Sequence, residues 1–124
     1  MKTISTEQAP AAIGPYSQAK VVNGMAYLSG QIPLDPLTGE VVGKEINAQT
    51  KQVLKNVGAV LEAANSSLEE VVKTTCFLTD MANFAEFNEI YGNYFVSNPA
   101  RSCVAAKQLP KGVLVEVEVI ACVK

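Results

Sequence analysis

Hydrophobic and polar residues alternate most regularly near the end of the chain. Across positions 113–123, every odd-numbered residue is valine or alanine, which predicts one apolar face of a β-strand. The other face carries Glu116 and Glu118 among apolar residues. A face open to water would be polar throughout, so this mixed face predicts partial burial. The alternative is that both glutamates are solvated and only discourage aggregation at a strand edge.

A shorter strand is predicted for residues 102–109, followed by the turn sequence Pro-Lys-Gly at 110–112. If this turn closes a hairpin, Arg101 lies within reach of Glu118. Arg101 is the one arginine in a chain whose other cations are all lysine. Its guanidinium can bind a carboxylate through two parallel hydrogen bonds. The structural alternative is an ion pair with Glu118 that ties two strand ends together.

The first half of the chain predicts a hairpin and then a helix. Asn-Gly at 23–24 is typical of a type I′ turn, because both central residues adopt positive φ, and it predicts paired strands at 20–22 and 25–29. The second strand ends near Gly30, where a glycine lets a ligand or another backbone approach closely. From 47 to 64, apolar residues recur every three or four positions, which predicts a helix.

A strand and a second helix follow. Residues 70–79 are β-branched and aromatic enough for a strand, and Asp80 is a candidate helix cap. The helix after it carries an aromatic stripe, interpreted as core packing, that consists of Phe84, Phe87, Tyr91, Tyr94 and Phe95. Asn88 lies beside this stripe. The order of elements predicts an α+β fold in which two helices cover one face of a single mixed sheet.

The other face of that sheet would still carry apolar residues, including Ile120 and Val104, so we expect a second subunit to cover it. With 124 residues, 48% of them hydrophobic, the chain suits one domain spanning 1–124. The first ten residues lack the apolar core of a secretory signal, and no apolar run could span a bilayer. We therefore expect a cytoplasmic protein.

Composition excludes several kinds of chemistry. The formal charge of -2, without any run of like charge, argues against nucleic-acid and membrane partners. The absence of histidine removes imidazole-activated nucleophiles and most zinc or iron sites. Three cysteines without a Cys-x-x-Cys pair indicate free thiols in a reducing compartment. Cys103 lacks a base partner and is interpreted as a small apolar residue.

Five stretches of the sequence together resemble one family. They are APAAIGPYSQ at 9–18, SGQIP at 29–33, FNEIYGNYF at 87–95, PARSCV at 99–104 and VEVEVIA at 115–121. This combination resembles the RidA family, also called the YjgF family, of small enamine and imine deaminases. Two departures stand out, since FVSN before PARSC is shorter than in many members and VAAKQ follows where VEVAR is common. Both could change the cleft shape or subunit contacts.

The resemblance implies a chorismate-mutase-like subunit, of the bacterial AroH type, that assembles as a homotrimer with clefts between neighbouring subunits. It also implies hydrolysis of 2-aminoacrylate and related enamines or imines to 2-oxo acids and ammonia, without a cofactor or a metal. Carried over by position, Arg101 would bind the substrate carboxylate. Glu118 would place and polarise the attacking water, and Tyr16, presented from a rigid Gly-Pro loop, would line the cleft and position that water.

The resemblance also implies ligand contacts from the backbone at Gly30 and Cys103. Ser29 and Asn88 are expected as substrate-binding neighbours in the cleft. On residue type alone, Asn88 has the simpler interpretation of a solvated amide, and a loop tyrosine such as Tyr16 more often packs than reacts.

Other functions stay open at this point. The same cleft could bind 2-oxo acids and regulate a partner without turnover, and relatives have been credited with roles in translation, purine regulation and folding. Nuclease activity has been assigned to some relatives, although the acidic balance of this chain argues against it. A chorismate-type rearrangement fits the fold, but one arginine in each site is too few for a dianionic substrate.

Overall fold

The computed structural model describes all 124 residues and contains one six-stranded sheet with two α-helices. The strands are β1 Lys2–Ile4, β2 Ala19–Val22, β3 Met25–Leu28, β4 Val71–Leu78, β5 Ala100–Ala105 and β6 Val115–Cys122. The helices are α1 Ile46–Ala63 and α2 Phe84–Tyr94. The strand order is β1-β2-β3-β6-β4-β5, and only β4 and β5 pair in parallel. The predicted α+β fold with a single mixed sheet is confirmed.

The β2–β3 hairpin turns at Asn23 and Gly24, whose φ angles are 51° and 75°. These positive values confirm the type I′ turn that the sequence predicts. The pattern did not predict β1, which pairs antiparallel with β2 at the edge of the sheet. Its three residues are too few to display a clear alternation of polar and apolar positions.

The hairpin predicted around residues 110–112 does not form. Pro110–Gly112 is a short 3₁₀ turn, but β5 pairs with one edge of β4 while β6 occupies the other edge. The segment β4-α2-β5 is a crossover, which brings two parallel strands side by side. The prediction that residues 102–109 fold back on the last strand was therefore wrong. The register that brought Arg101 within reach of Glu118 was wrong with it.

The core lies between one face of the sheet and the two helices. β6 is central in the sheet, and its odd-numbered valines are at most 2% exposed. Helix α1 contributes a buried stripe at helical spacing that includes Val53, Val57 and Leu61. Helix α2 and its C-cap bury Phe87, Tyr91 and Phe95, with adjacent ring centroids 5.7 and 4.5 Å apart. The predicted packing role of the aromatic stripe is confirmed.

The opposite face of the sheet has no helix packed on it. Tyr27 on β3 and Val104 on β5 are 45% and 48% exposed there. Glu116, Glu118 and Ile120 project from β6 toward the same side, because residues one position apart on a strand point to opposite faces. We call this surface the helix-free face. Neither helix is long and apolar enough to cross a membrane.

Candidate functional site

Arg101 lies on β5 against helix α2, at one edge of the sheet. Its Nη1 donates a hydrogen bond of 2.6 Å to Asn88 Oδ1. Its guanidinium carbon lies 4.7 Å from the ring centroid of Tyr91 and 5.4 Å from that of Phe84. The three partners recur three and four positions apart, so a single face of α2 presents them all. We call Arg101, Phe84, Asn88 and Tyr91 the arginine half-site.

The arginine half-site opens into a cavity of about 400 Å³. The cavity is lined by Asn88, Tyr91, Gly92, Asn98, Pro99 and Arg101. Asn88 is the only side chain that hydrogen-bonds to Arg101, and no carboxylate of the chain is paired with it. Because a guanidinium carries five N–H donors, most of its hydrogen-bonding capacity is available to an anion.

A second cavity, also about 400 Å³, lies where the end of β3 meets the start of β6. Its lining residues, which we call the acidic half-site, are Tyr16, Ser29, Gly30, Ile32, Pro110, Glu116 and Glu118. The backbones of Gln31 and Val117 exchange hydrogen bonds of 2.8 and 3.1 Å. This bridge continues the sheet beyond β3 and sets Gly30 beside the two glutamates.

Glu116 packs directly on the backbone of Gly30. A Cβ atom built on Gly30 would overlap Glu116 Oε2, so any larger residue at position 30 would require this carboxylate to move. Burial raises the pKa of Glu116, and the neighbouring charge of Glu118 raises this pKa further. The side chain of Glu118 is exposed. The sequence placed both glutamates on one partly buried face and assigned a site role to Glu118 alone, because the contact between Gly30 and Glu116 joins residues far apart in the chain.

Tyr16 is 54% exposed in a loop that is held from two sides. Ser29 Oγ donates a hydrogen bond of 2.6 Å to the carbonyl oxygen of Ser17. The buried amide of Gln18 donates to the carbonyl oxygens of Thr6 and Pro10 at 3.0 and 2.8 Å. These contacts fix the chain on both sides of Tyr16, so its phenol is presented at a defined place. The Ser29 hydroxyl proton is used in holding this loop.

Cys103 lies on β5 two residues after Arg101, and its register partner on β4 is Cys76. Burial raises the pKa of Cys103 and raises that of Cys76 to about 12. All three cysteines are free thiols, and no base is hydrogen-bonded to Cys103. Neither thiol is therefore prepared to act as a nucleophile. No group of three or more cysteine, aspartate or glutamate side chains is arranged to hold a metal ion.

Within one chain the two half-sites lie on opposite sides of the sheet. In the β4 register, Arg101 is aligned with Thr74 and Glu118 with Thr75. Adjacent residues of a strand point to opposite faces, so Arg101 lies on the helix side and Glu118 on the helix-free face. The structure brings Arg101 together with Asn88, and it brings Tyr16, Ser29, Gly30 and Glu118 together. It does not bring these two groups together in one chain.

Replacing Gly30 by alanine should lower the turnover of any reaction that uses Glu116, because the new methyl group displaces the carboxylate. The matched control is Gly58→Ala in helix α1, where an added Cβ meets nothing within 4 Å. That control should stabilise the fold by about 0.5–1 kcal/mol, as alanine generally does in a helix, without affecting activity. Steady-state rates and thermal unfolding of both variants provide the measurement. Equal rates for the two variants would contradict the role of the Gly30–Glu116 contact.

The raised pKa of Glu116 predicts a pH dependence of stability. The folded chain binds this proton more tightly than the unfolded chain, so the contribution to stability is present at low pH. It is lost as the pH rises through the folded-state pKa. We therefore expect the free energy of unfolding of Glu116→Gln to fall less steeply than that of the parent between about pH 4 and pH 8. Denaturant titrations across this range test it, with the exposed Glu62→Gln as control, and parallel curves for parent and Glu116→Gln would contradict it.

Comparison with known proteins identifies the family and several relatives of this chain. The profile of the family described as Endoribonuclease L-PSP matches residues 6–123. A Lactococcus lactis protein whose name proposes a regulator, AldR, is 57% identical over 125 residues, covering 100% of this chain and 99% of the relative. The Salmonella typhimurium protein named 2-iminobutanoate/2-iminopropanoate deaminase is 48% identical over 124 residues, covering 97% and 96%.

Solved structures agree with the sequence comparison. The crystal structure of RidA from an Antarctic Psychrobacter superposes with a TM-score of 0.95 and 44% identity, covering 99% of this chain and 100% of that one. The sequence similarity and the fold thus both extend along almost the whole length. The chain belongs to the family described as Endoribonuclease L-PSP, which is the RidA, or YjgF, family.

Proposed function

We propose that this protein hydrolyses reactive 2-imino acids and their enamine tautomers, such as 2-aminoacrylate, to 2-oxo acids and ammonia. The observation that carries the proposal is the Arg101 guanidinium, held by Asn88 and two aromatic faces with no carboxylate of the chain paired to it. Such a group suits the carboxylate that every substrate of this class carries. The deaminase name of the Salmonella relative supports the same reaction class at the level of the family.

The complete site is proposed to form between subunits of a homotrimer. One chain presents its arginine half-site and its acidic half-site on opposite sides of the sheet, so it cannot offer both to one small ligand. The helix-free face, with Tyr27 and Val104 exposed, is the apolar surface that neighbouring subunits would cover. In this arrangement the arginine half-site of one subunit faces the acidic half-site of the next.

Arg101 would hold the substrate carboxylate through two parallel hydrogen bonds and so direct the C=N carbon toward the acidic half-site. Glu118 and Tyr16 would place a water molecule against that carbon. The water oxygen bonds to C2 while Glu118 accepts its proton and Glu116 donates a proton to the nitrogen. The raised pKa of Glu116 favours this acid role, because the group keeps its proton at a higher pH than an ordinary glutamate.

The resulting carbinolamine then decomposes. Its nitrogen takes up a proton, the C–N bond breaks and ammonia leaves, while the hydroxyl proton passes to a carboxylate and C2 becomes the carbonyl of the 2-oxo acid. Because the imine carbon is already electrophilic, orientation and acid–base help suffice, and no strong nucleophile is needed. The backbone at Gly30 and Cys103 would contact the ligand, with Ser29 and Asn88 in supporting positions. The proposed compartment is the cytoplasm, where free thiols stay reduced.

The direct test is release of 2-oxo acid from a 2-imino acid generated enzymatically in the same vessel. The purified protein should accelerate this release above the spontaneous rate, without any added cofactor. Size determination in solution, on the same preparation, should give three chains. Folded, assembled protein that leaves the spontaneous rate unchanged would overturn the proposal.

Two other functions have specific support. The description of the family names an endoribonuclease, but a net charge of -2 without a basic cluster gives little to bind an RNA backbone. Cleavage of RNA by pure protein, with steep salt dependence of binding, would favour that function. The name of the Lactococcus relative points to regulation, for which ligand binding without turnover would be the signature.

A further inference from the structure

Behind Arg101, two hydroxyl groups form a buried hydrogen bond. Thr74 Oγ1 and Tyr91 Oη lie 2.7 Å apart, and their residues are 0% and 6% exposed. Thr74 is the register partner of Arg101 on β4, and the face of the Tyr91 ring lies 4.7 Å from the guanidinium carbon. A single hydrogen bond thus links the strand beside Arg101 to the ring that faces it.

This hydrogen bond anchors the hydroxyl end of the Tyr91 ring, and contacts with Phe87 and Phe95 restrain the ring itself. Attraction between a guanidinium and an aromatic ring depends on the cation lying over the ring face, so the ring orientation sets the guanidinium orientation. Arg101 is long and flexible, and its one hydrogen bond to a side chain, donated to Asn88 Oδ1, leaves rotation about that contact. Bidentate binding of a carboxylate requires a fixed guanidinium plane.

The hydroxyl pair is suited to a permanent contact. An ordinary phenol is protonated at neutral pH, and burial raises the pKa of Tyr91 further, so the hydroxyl proton needed for this hydrogen bond is retained. Cys76 Sγ also donates a long hydrogen bond of 3.9 Å to Thr74 Oγ1, and both residues are fully buried, so water does not compete for the Thr74 hydroxyl. An apolar residue would pack in either place, and the buried polar pair therefore needs another explanation than packing.

We propose that Thr74 and Tyr91 are positioning residues, whose hydrogen bond sets the plane of the Arg101 guanidinium for carboxylate binding. The inference deepens the proposed function and rests on it, because the carboxylate in question is that of the 2-imino acid. According to this proposal, Thr74 affects ligand affinity although it does not line the cavity.

The test compares Thr74→Val with Thr74→Ser and with a matched control, Thr50→Val. Thr50 is also fully buried, but its hydroxyl has no hydrogen-bond partner, so its replacement by valine makes the same chemical change without breaking a contact. The probe is 2-oxobutanoate, whose Kd is measured by calorimetry, and KM and kcat are measured with the 2-imino acid. Thr74→Val should raise Kd and KM roughly tenfold and leave kcat within about twofold, whereas Thr74→Ser and Thr50→Val should resemble the parent.

Tyr91→Phe removes the other hydroxyl and should raise Kd to the same extent. The double variant, Thr74→Val with Tyr91→Phe, should bind 2-oxobutanoate no more weakly than either single variant. If Thr74→Val alone does not fold, the double variant is measured in its place. A parent-like Kd for both Tyr91→Phe and Thr74→Val, or for the double variant where Thr74→Val does not fold, would overturn the inference, even if turnover is intact. A parent that binds 2-oxobutanoate without turnover would overturn the proposed function alone, and the Kd comparison would still decide the role of Thr74. A parent that neither binds a 2-oxo acid nor hydrolyses the 2-imino acid would overturn both.

Discussion

Replacing Arg101 by alanine should lower kcat/KM for 2-imino acid hydrolysis by about a hundredfold or more. Two hydrogen bonds between charged groups contribute about 1.5–3 kcal/mol each, and about 1.4 kcal/mol corresponds to a factor of ten in rate. Arg101→Lys should not restore activity. An ammonium group binds a carboxylate as a point charge, and it cannot lie flat over the rings of Tyr91 and Phe84 as the guanidinium does.

The measurement is the initial rate of 2-oxo acid release at several substrate concentrations. Lys55→Ala is the control for loss of a positive charge, since Lys55 lies on the exposed side of helix α1, apart from both half-sites. Circular dichroism and size measurements would establish that each variant folds and assembles. Rates equal to the parent for both Arg101 variants would show that hydrolysis does not use the arginine half-site.

The elements that were predictable from sequence are those that local pattern defines. The type I′ turn at Asn23 and Gly24 depends on two adjacent residues, and the buried face of β6 depends on strict alternation within one segment. The pairing of β5 was not predictable in the same way. Residues 110–112 are compatible with a hairpin and with a connecting turn, and the crossover through α2 decides between them.

The residues of the candidate site likewise differ in how far the local sequence could predict them. Arg101 was identifiable because no other arginine occurs in the chain. Glu116 and Glu118 are indistinguishable within their strand, since both lie on one face two positions apart. Their difference arises from Gly30, which reaches Glu116 through a backbone bridge between residues far apart in sequence. The support of Arg101 by Asn88 was hidden for the same reason, because it depends on how α2 packs beside β5.

Subunits with complementary defects should restore activity to each other when they are folded together. Glu116→Gln with Glu118→Gln in one chain should lower kcat by about 10²–10⁴-fold, the usual contribution of acid–base groups, and Arg101→Ala is the partner variant. In an equal mixture, a site between subunits is intact when one neighbour keeps its arginine and the other keeps its glutamates. Each condition holds for half of the subunits, so about one quarter of the parent activity should return.

A site built within a single chain predicts a different result, because every chain in that mixture carries a defect and no activity would return. A second mixture sharpens the distinction. This mixture contains equal amounts of the parent and of a triple variant that carries Arg101→Ala and both glutamine substitutions. It should keep about one quarter of the parent activity if sites lie between subunits, and about one half if they lie within a chain. Each variant folded alone gives the baseline. Recovery in the first mixture therefore requires that the two half-sites, separated by the sheet in each chain, meet across a subunit boundary.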